Sequence, residues 1–186
     1  MRAVALLVTL LLAPPGLSQT VVTYSTSGGG GTLADPANTP SYPGTLPAGS
    51  GLASSVSVPN HVTQVDSVVL TSIAHGRTAD VHAILRDPTG KGTSLFVRPG
   101  YSGVVIAGSF EGGGSTLTVV PSGGVGFPTL GGTIASGTYV QYFGCSLFCT
   151  WPDGQDNVFN TNLGAVTGPP GLWTLEILDW QAGFTG

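Results

Sequence analysis

The chain has 186 residues, of which 8% are charged and 41% hydrophobic, and its formal net charge is -4. Beyond residue 2 the only basic residues are Arg77, Arg86, Lys91 and Arg98, so there is no cationic face for phosphates and nucleic acid is excluded as a partner. The ordinary apolar content argues against charge-driven disorder, and Ser, Thr, Asn and backbone groups must solvate the surface.

Arg2 opens the chain, residues 3–13 are apolar except for Thr9, and Pro14-Pro15-Gly16-Leu17-Ser18 breaks the pattern before a small residue. This is the three-part pattern of a cleaved secretory signal over residues 1–18. The apolar run of about 11 residues is short of the roughly 20 that a helix needs to cross a bilayer. No later stretch is long and apolar enough, so the chain is expected without a membrane span, secreted or at the cell surface.

Residues 19–50 are rich in Gly, Ser, Thr and Pro and read as a lead-in with one short strand at 21–24. Residues 51–186 read as one domain able to bury a substantial core. Short strands are expected at 55–58, 62–73, 80–86, 94–97, 104–107, 117–120, 139–143 and 173–179, each bounded by Gly or Pro. In the third, Val81, Ala83 and Leu85 point one way, and Asp80, His82 and Arg86 the other. Asp87-Pro88-Thr89-Gly90 ends it, with Pro fixing φ and Gly supplying positive φ. In the last, Trp173, Leu175 and Ile177 face the core. With no capped amphipathic helix, the pattern implies an all-β sandwich or jelly roll.

Cys145 and Cys149 are the only cysteines. A local disulfide is favoured in an exported chain. A zinc pair would need two further ligands, and C-x3-C lacks the two-residue gap of redox helices. Asp153-Gly154-Gln155-Asp156-Asn157 gathers oxygen donors around a glycine, which suits Ca2+, although a solvated turn is the plainer reading. Asp80, after a turn, reads first as a structural carboxylate and second as a Ca2+ ligand.

Three stretches in order resemble the P domain (P/Homo B domain) that follows the catalytic domain of proprotein convertases and many bacterial subtilisin-like proteases. Ile73-Ala74-His75, Ala79-Asp80-Val81 and Leu85-Arg86-Asp87-Pro88-Thr89-Gly90 are similar to its I-x-H, G-D-L and L-x-S-P-x-G. Leu95 to Gly100 resembles L-L-x-R-P-G, and Gly168 to Ile177 followed by Asp179 resembles D-P-x-G-x-W-x-L-x-V-x-D. The resemblance spans residues 50–186. It implies a jelly-roll β-sandwich of the galactose-binding-like type that accompanies or stabilises other domains and performs no chemistry. Gly168 stands where the family usually has Asp, and Ala79 where it usually has Gly. Members carry a further strand beyond the final glycine, so the domain is expected to lack its last strand. The resulting open sheet edge would suit a protein or cell-surface partner.

His75 and Ser94 imitate a subtilisin-like pair, but they are too close in sequence and the family's Asp motif is missing upstream. His61, His75 and His82 lack metal-ligand spacing and are expected on strand surfaces or turns. Arg77, Arg86, Lys91 and Arg98 are expected in solvent. Trp151 and Tyr101 could offer an aromatic platform for carbohydrate, and Trp173 is expected in the core. The expected function is that of a secreted non-catalytic module for binding, stabilisation or cell-surface architecture. Its alternatives are an accessory or remnant domain of a subtilisin-like endopeptidase and a carbohydrate-binding module.

Overall fold

Alternating apolar residues organise this chain into strands, and the described residues contain no α-helix. The computed structural model describes residues 6–12, 20–26, 31–33, 36, 51–101, 108–112, 114–129, 131–144 and 150–183. The expected strand at 104–107 and both cysteines lie outside them. The strands are β1 (Leu6–Leu12), β2 (Thr20–Ser25), β3 (Gly51–Val58), β4 (Gln64–Ile73), β5 (Val81–Arg86) and β6 (Gly92–Val97). They continue with β7 (Ser109–Phe110), β8 (Ser115–Val120), β9 (Thr133–Ile134), β10 (Gly137–Val140), β11 (Val158–Phe159) and β12 (Gly171–Asp179).

Two five-stranded sheets, ordered β10-β8-β4-β1-β2 and β11-β6-β5-β12-β3, enclose the main core, and β7 and β9 form a small third sheet. Val65, Val68, Leu70, Leu117 and Val119 of the first sheet belong to one buried cluster with Val81, Ala83, Leu85, Trp173, Leu175 and Ile177 of the second. Full burial of each such aliphatic side chain contributes about 1.5–3 kcal/mol. Thus the all-β, sandwich-like character expected from the sequence is present.

Along β12, Trp173, Leu175 and Ile177 are buried while Thr174, Glu176 and Leu178 are half-buried, the period-2 pattern of a strand with one face on the core. The strand pairs with β5 on one side and β3 on the other, so among the described residues the edges of its sheet lie at β11 and β3 and not at β12.

Strand β5 departs from simple alternation. His82 and Ile84, on the face opposite Val81, Ala83 and Leu85, are buried too. They sit under a second, smaller core made by Ile84, Val97, Trp151, Val158 and Trp180, with Leu178 packed against it. The expectation that His82 lies on a strand surface is therefore corrected. The segment that carries Trp151 and Val158 folds back across the outer face of this sheet. At its root Gly144 bridges Thr150, and the Trp151 amide donates to the Phe143 carbonyl at 3.0 Å.

A second departure lies at the start of the chain. Strand β1, from the apolar run read as a signal, pairs antiparallel with both β4 and β2. A short apolar run suits a signal h-region or a buried strand equally, because it carries no period that distinguishes them.

Candidate functional site

Four charged side chains from separate stretches meet at one end of the β11-β6-β5-β12-β3 sheet. Asp80 closes a 3-10 turn, Thr78–Asp80, that leads into β5. Asp179 ends β12 and lies opposite Val81 in the register. Arg98 follows β6 and donates its amide to the Val81 carbonyl at 2.9 Å. His75 arrives from the other sheet, just after β4. All four are buried, Asp80 and Asp179 completely.

His75 and Asp179 form the tightest pair. The Nε2–H of His75 donates to Asp179 Oδ2 at 3.1 Å, and the Gln181 amide donates to Asp179 Oδ1 at 3.0 Å. On the other side of the ring, Nδ1 is 2.8 Å from the Arg77 carbonyl and 3.1 Å from the Arg77 amide nitrogen. A neutral ring accepts from that amide, and a protonated ring donates to that carbonyl, so the pocket accommodates both states. Burial alone would lower the imidazole pKa. The hydrogen bonds to Asp179 and to the Arg77 backbone, with the charges of Asp179 and Asp80, outweigh it and raise the value.

Asp80 is held differently. Its carboxylate is 3.8 Å from Arg77 Nε and 3.8 Å from Arg98 Nη2, too long for hydrogen bonds. Among the described residues, neither oxygen has a hydrogen-bond donor. Desolvation therefore dominates, and its pKa rises to about 6 despite both guanidinium groups, with Asp179 adding repulsion and His75 opposing it.

Arg98 is buried, which corrects its expected place in solvent. Its backbone is left-handed, with φ 44°, a conformation costing a non-glycine residue about 1–2 kcal/mol. That turn returns the side chain under the domain. Nε donates to the Ala79 carbonyl at 2.6 Å, and the guanidinium stacks 3.9 Å from the centre of the Tyr101 ring. Arg77 is likewise only partly exposed, and Arg86 Nε donates to Glu176 Oε2 at 2.7 Å.

The remaining candidates separate from this cluster. His75 and Ser94 do not meet: Ser94 Oγ lies 3.2 Å from His82 Nε2. His82 is buried, its pKa lowered to about 3 by desolvation and, less, by Arg86 and Arg98, and its ring packs 4.7 Å from Trp151 and 6.4 Å from Trp180. Trp151 is only 2% exposed, which removes it as a sugar platform, and Tyr101 is covered by Arg98. Trp173 is in the core as expected.

The two Ca2+ candidates lie at opposite ends of β5. Asp156 and Asn157 precede β11, whose Val158 pairs with Gly92, itself opposite Arg86. Asp80 precedes Val81, a strand length of roughly 20 Å away. Asp153 Oδ1 accepts from the Asn160 amide at 2.8 Å, and Asn157 Nδ2 donates to the Gly90 carbonyl at 2.9 Å. The first closes the loop on itself and the second ties it to the turn after β5. Among the described residues no three His, Cys, Asp or Glu side chains form a group able to hold a metal ion. Asp156 instead borders a groove of about 390 Å³ lined also by Ile84, Arg86, Trp151, Val158, Glu176 and Leu178.

Sequence reasoning assigned no role to Asp179 and placed Arg98 outside. A signal for Asp179 was present: it continues the inward phase of Trp173, Leu175 and Ile177, where a carboxylate demands a partner. Nothing in the sequence marks the fold-back of Arg98. No protein family, curated protein or solved structure matches the chain.

Proposed function

We propose that the chain is an exported, non-catalytic module of the P domain type, a jelly-roll sandwich that binds or stabilises other proteins outside the cell. The observation that supports this reading is the buried cluster. His75 and Asp80 come from the first stretch that resembles the family, Arg98 from the second and Asp179 from the third, and the four side chains converge on one place. A shared buried charge network gives separated motifs a physical reason to occur together in one sequence. The network is buried, which suits a clasp between two sheets and gives no substrate access to a reacting group. In the oxidising compartment Cys145 and Cys149 form a local disulfide.

Expression of the full chain in a secreting host tests the reading. Intact mass with and without reductant is expected to show loss of residues 1–18 and one internal disulfide. A fluorophosphonate probe is expected to leave the protein unlabelled. Labelling at Ser94, or at any serine, would overturn the non-catalytic reading, and a subtilisin-like catalytic domain encoded beside the gene would favour the accessory role.

A further inference from the structure

Strand β1 is gripped on both sides, with six of its residues in register with β4 and six with β2. It comes from the segment read as an export signal. Among the described residues, removal of residues 1–18 leaves β4 with β8 as its one neighbour and β2 with no strand partner. The gap between them is one strand wide, with walls roughly 9–10 Å apart. Asp66 is the single charge on either wall, and Gln64 Nε2 already donates to it at 2.8 Å. Beneath the gap, Val65, Val68 and Leu70 are fully buried. A bare ladder of backbone donors and acceptors would therefore stand beside the apolar core, a condition that strands relieve by pairing.

Resting on the export reading, we propose that the exported protein is a strand acceptor. The gap between β4 and β2 takes an extended, uncharged segment of six or seven residues from another polypeptide, running antiparallel to β4. An inserted strand pairs with both walls, as β1 does. Movement of β2 across the gap would form one ladder where an inserted strand forms two. Because both β2 and β4 are antiparallel to β1, that movement would also create a parallel ladder, slightly weaker per residue. Were a second copy to offer its own β2, it would dismantle a wall of its own gap. Main-chain hydrogen bonds supply the affinity of such a contact, and the uncharged walls select an uncharged strand.

The test uses the protein recovered after export of the full chain. Hydrogen exchange of residues 64–67, which have no register partner in β8, and of 20–25 is followed with and without a synthetic peptide of the sequence Leu6–Leu12, carrying lysines at both ends for solubility. A control peptide with Thr9→Pro lacks a ladder donor. Fast exchange is expected in the free protein, slowed at least about tenfold by the peptide and unchanged by the control. Slow exchange without peptide overturns the proposal, and sedimentation velocity then tells whether β2 of the same chain or a second copy fills the gap. Absence of slowing at saturating peptide also overturns it. An intact mass that retains residues 1–18 overturns the export reading itself, a distinct result because β1 is then still in place.

Discussion

Replacing Asp80 by Asn isolates the cost of a desolvated carboxylate. Two arginines at 3.8 Å would ordinarily depress an aspartate pKa, yet neither makes a hydrogen bond to it, and burial carries the value from 3.8 to about 6. A rise of about 2 units corresponds to about 3 kcal/mol at 1.36 kcal/mol per unit. Because the folded value lies above the unfolded one, the contribution to stability is fully present below about pH 4. It is lost as pH rises through about 6. His75, also raised, acts in the same sense: its contribution is present below about 6.5 and lost above its folded value. Urea unfolding of wild type and Asp80→Asn between pH 4 and pH 8 reads the difference directly. The wild-type advantage is expected to shrink by about 3 kcal/mol over that range. A flat difference, or one that grows with pH, would mean that the arginines outweigh burial and would refute the reasoning.

Asp179→Ala removes the acceptor of a buried imidazole and leaves His75 without its counter-charge, so a loss of about 3–5 kcal/mol is expected by chemical denaturation. NMR titration should also find the His75 pKa lowered. Gly168→Asp restores the residue usual in the resembled family. Here a Cβ at that position would lie 2.6 Å from Trp173 Cζ2, so a loss of about 1–3 kcal/mol is expected, read as a lower melting temperature. His82→Phe tests the opposite titration. A histidine depressed to about 3 keeps its contribution above about 6.5 and loses it as pH falls toward 3, so the variant should show a flatter acid limb than wild type.

Much of the strand pattern was legible because period-2 alternation and Gly/Pro punctuation are local properties. The segments 55–58, 117–120 and 173–179 all fall inside observed strands. Membership of Trp173 in the core was legible for the same reason. His82 was not: alternation placed it outside, and burial came from Trp151 and Trp180, which lie 69 and 98 positions further along the sequence. The candidate site shows the same division. His75, Asp80, Arg98 and Asp179 could each be singled out or noted within a motif, but their meeting depends on β5 lying beside β12 and on β4 ending near both.

The sequence by itself determined an all-β chain with an apolar leader-like start and few charges, since composition and period set which local conformations bury apolar surface. Only the tertiary structure decided which charges are buried, in which direction the pKa values of Asp80 and His75 move, and that β1 lies between β4 and β2 in a sheet. Those properties depend on neighbours distant along the chain, and desolvation and ladder pairing have no counterpart in the order of residues alone.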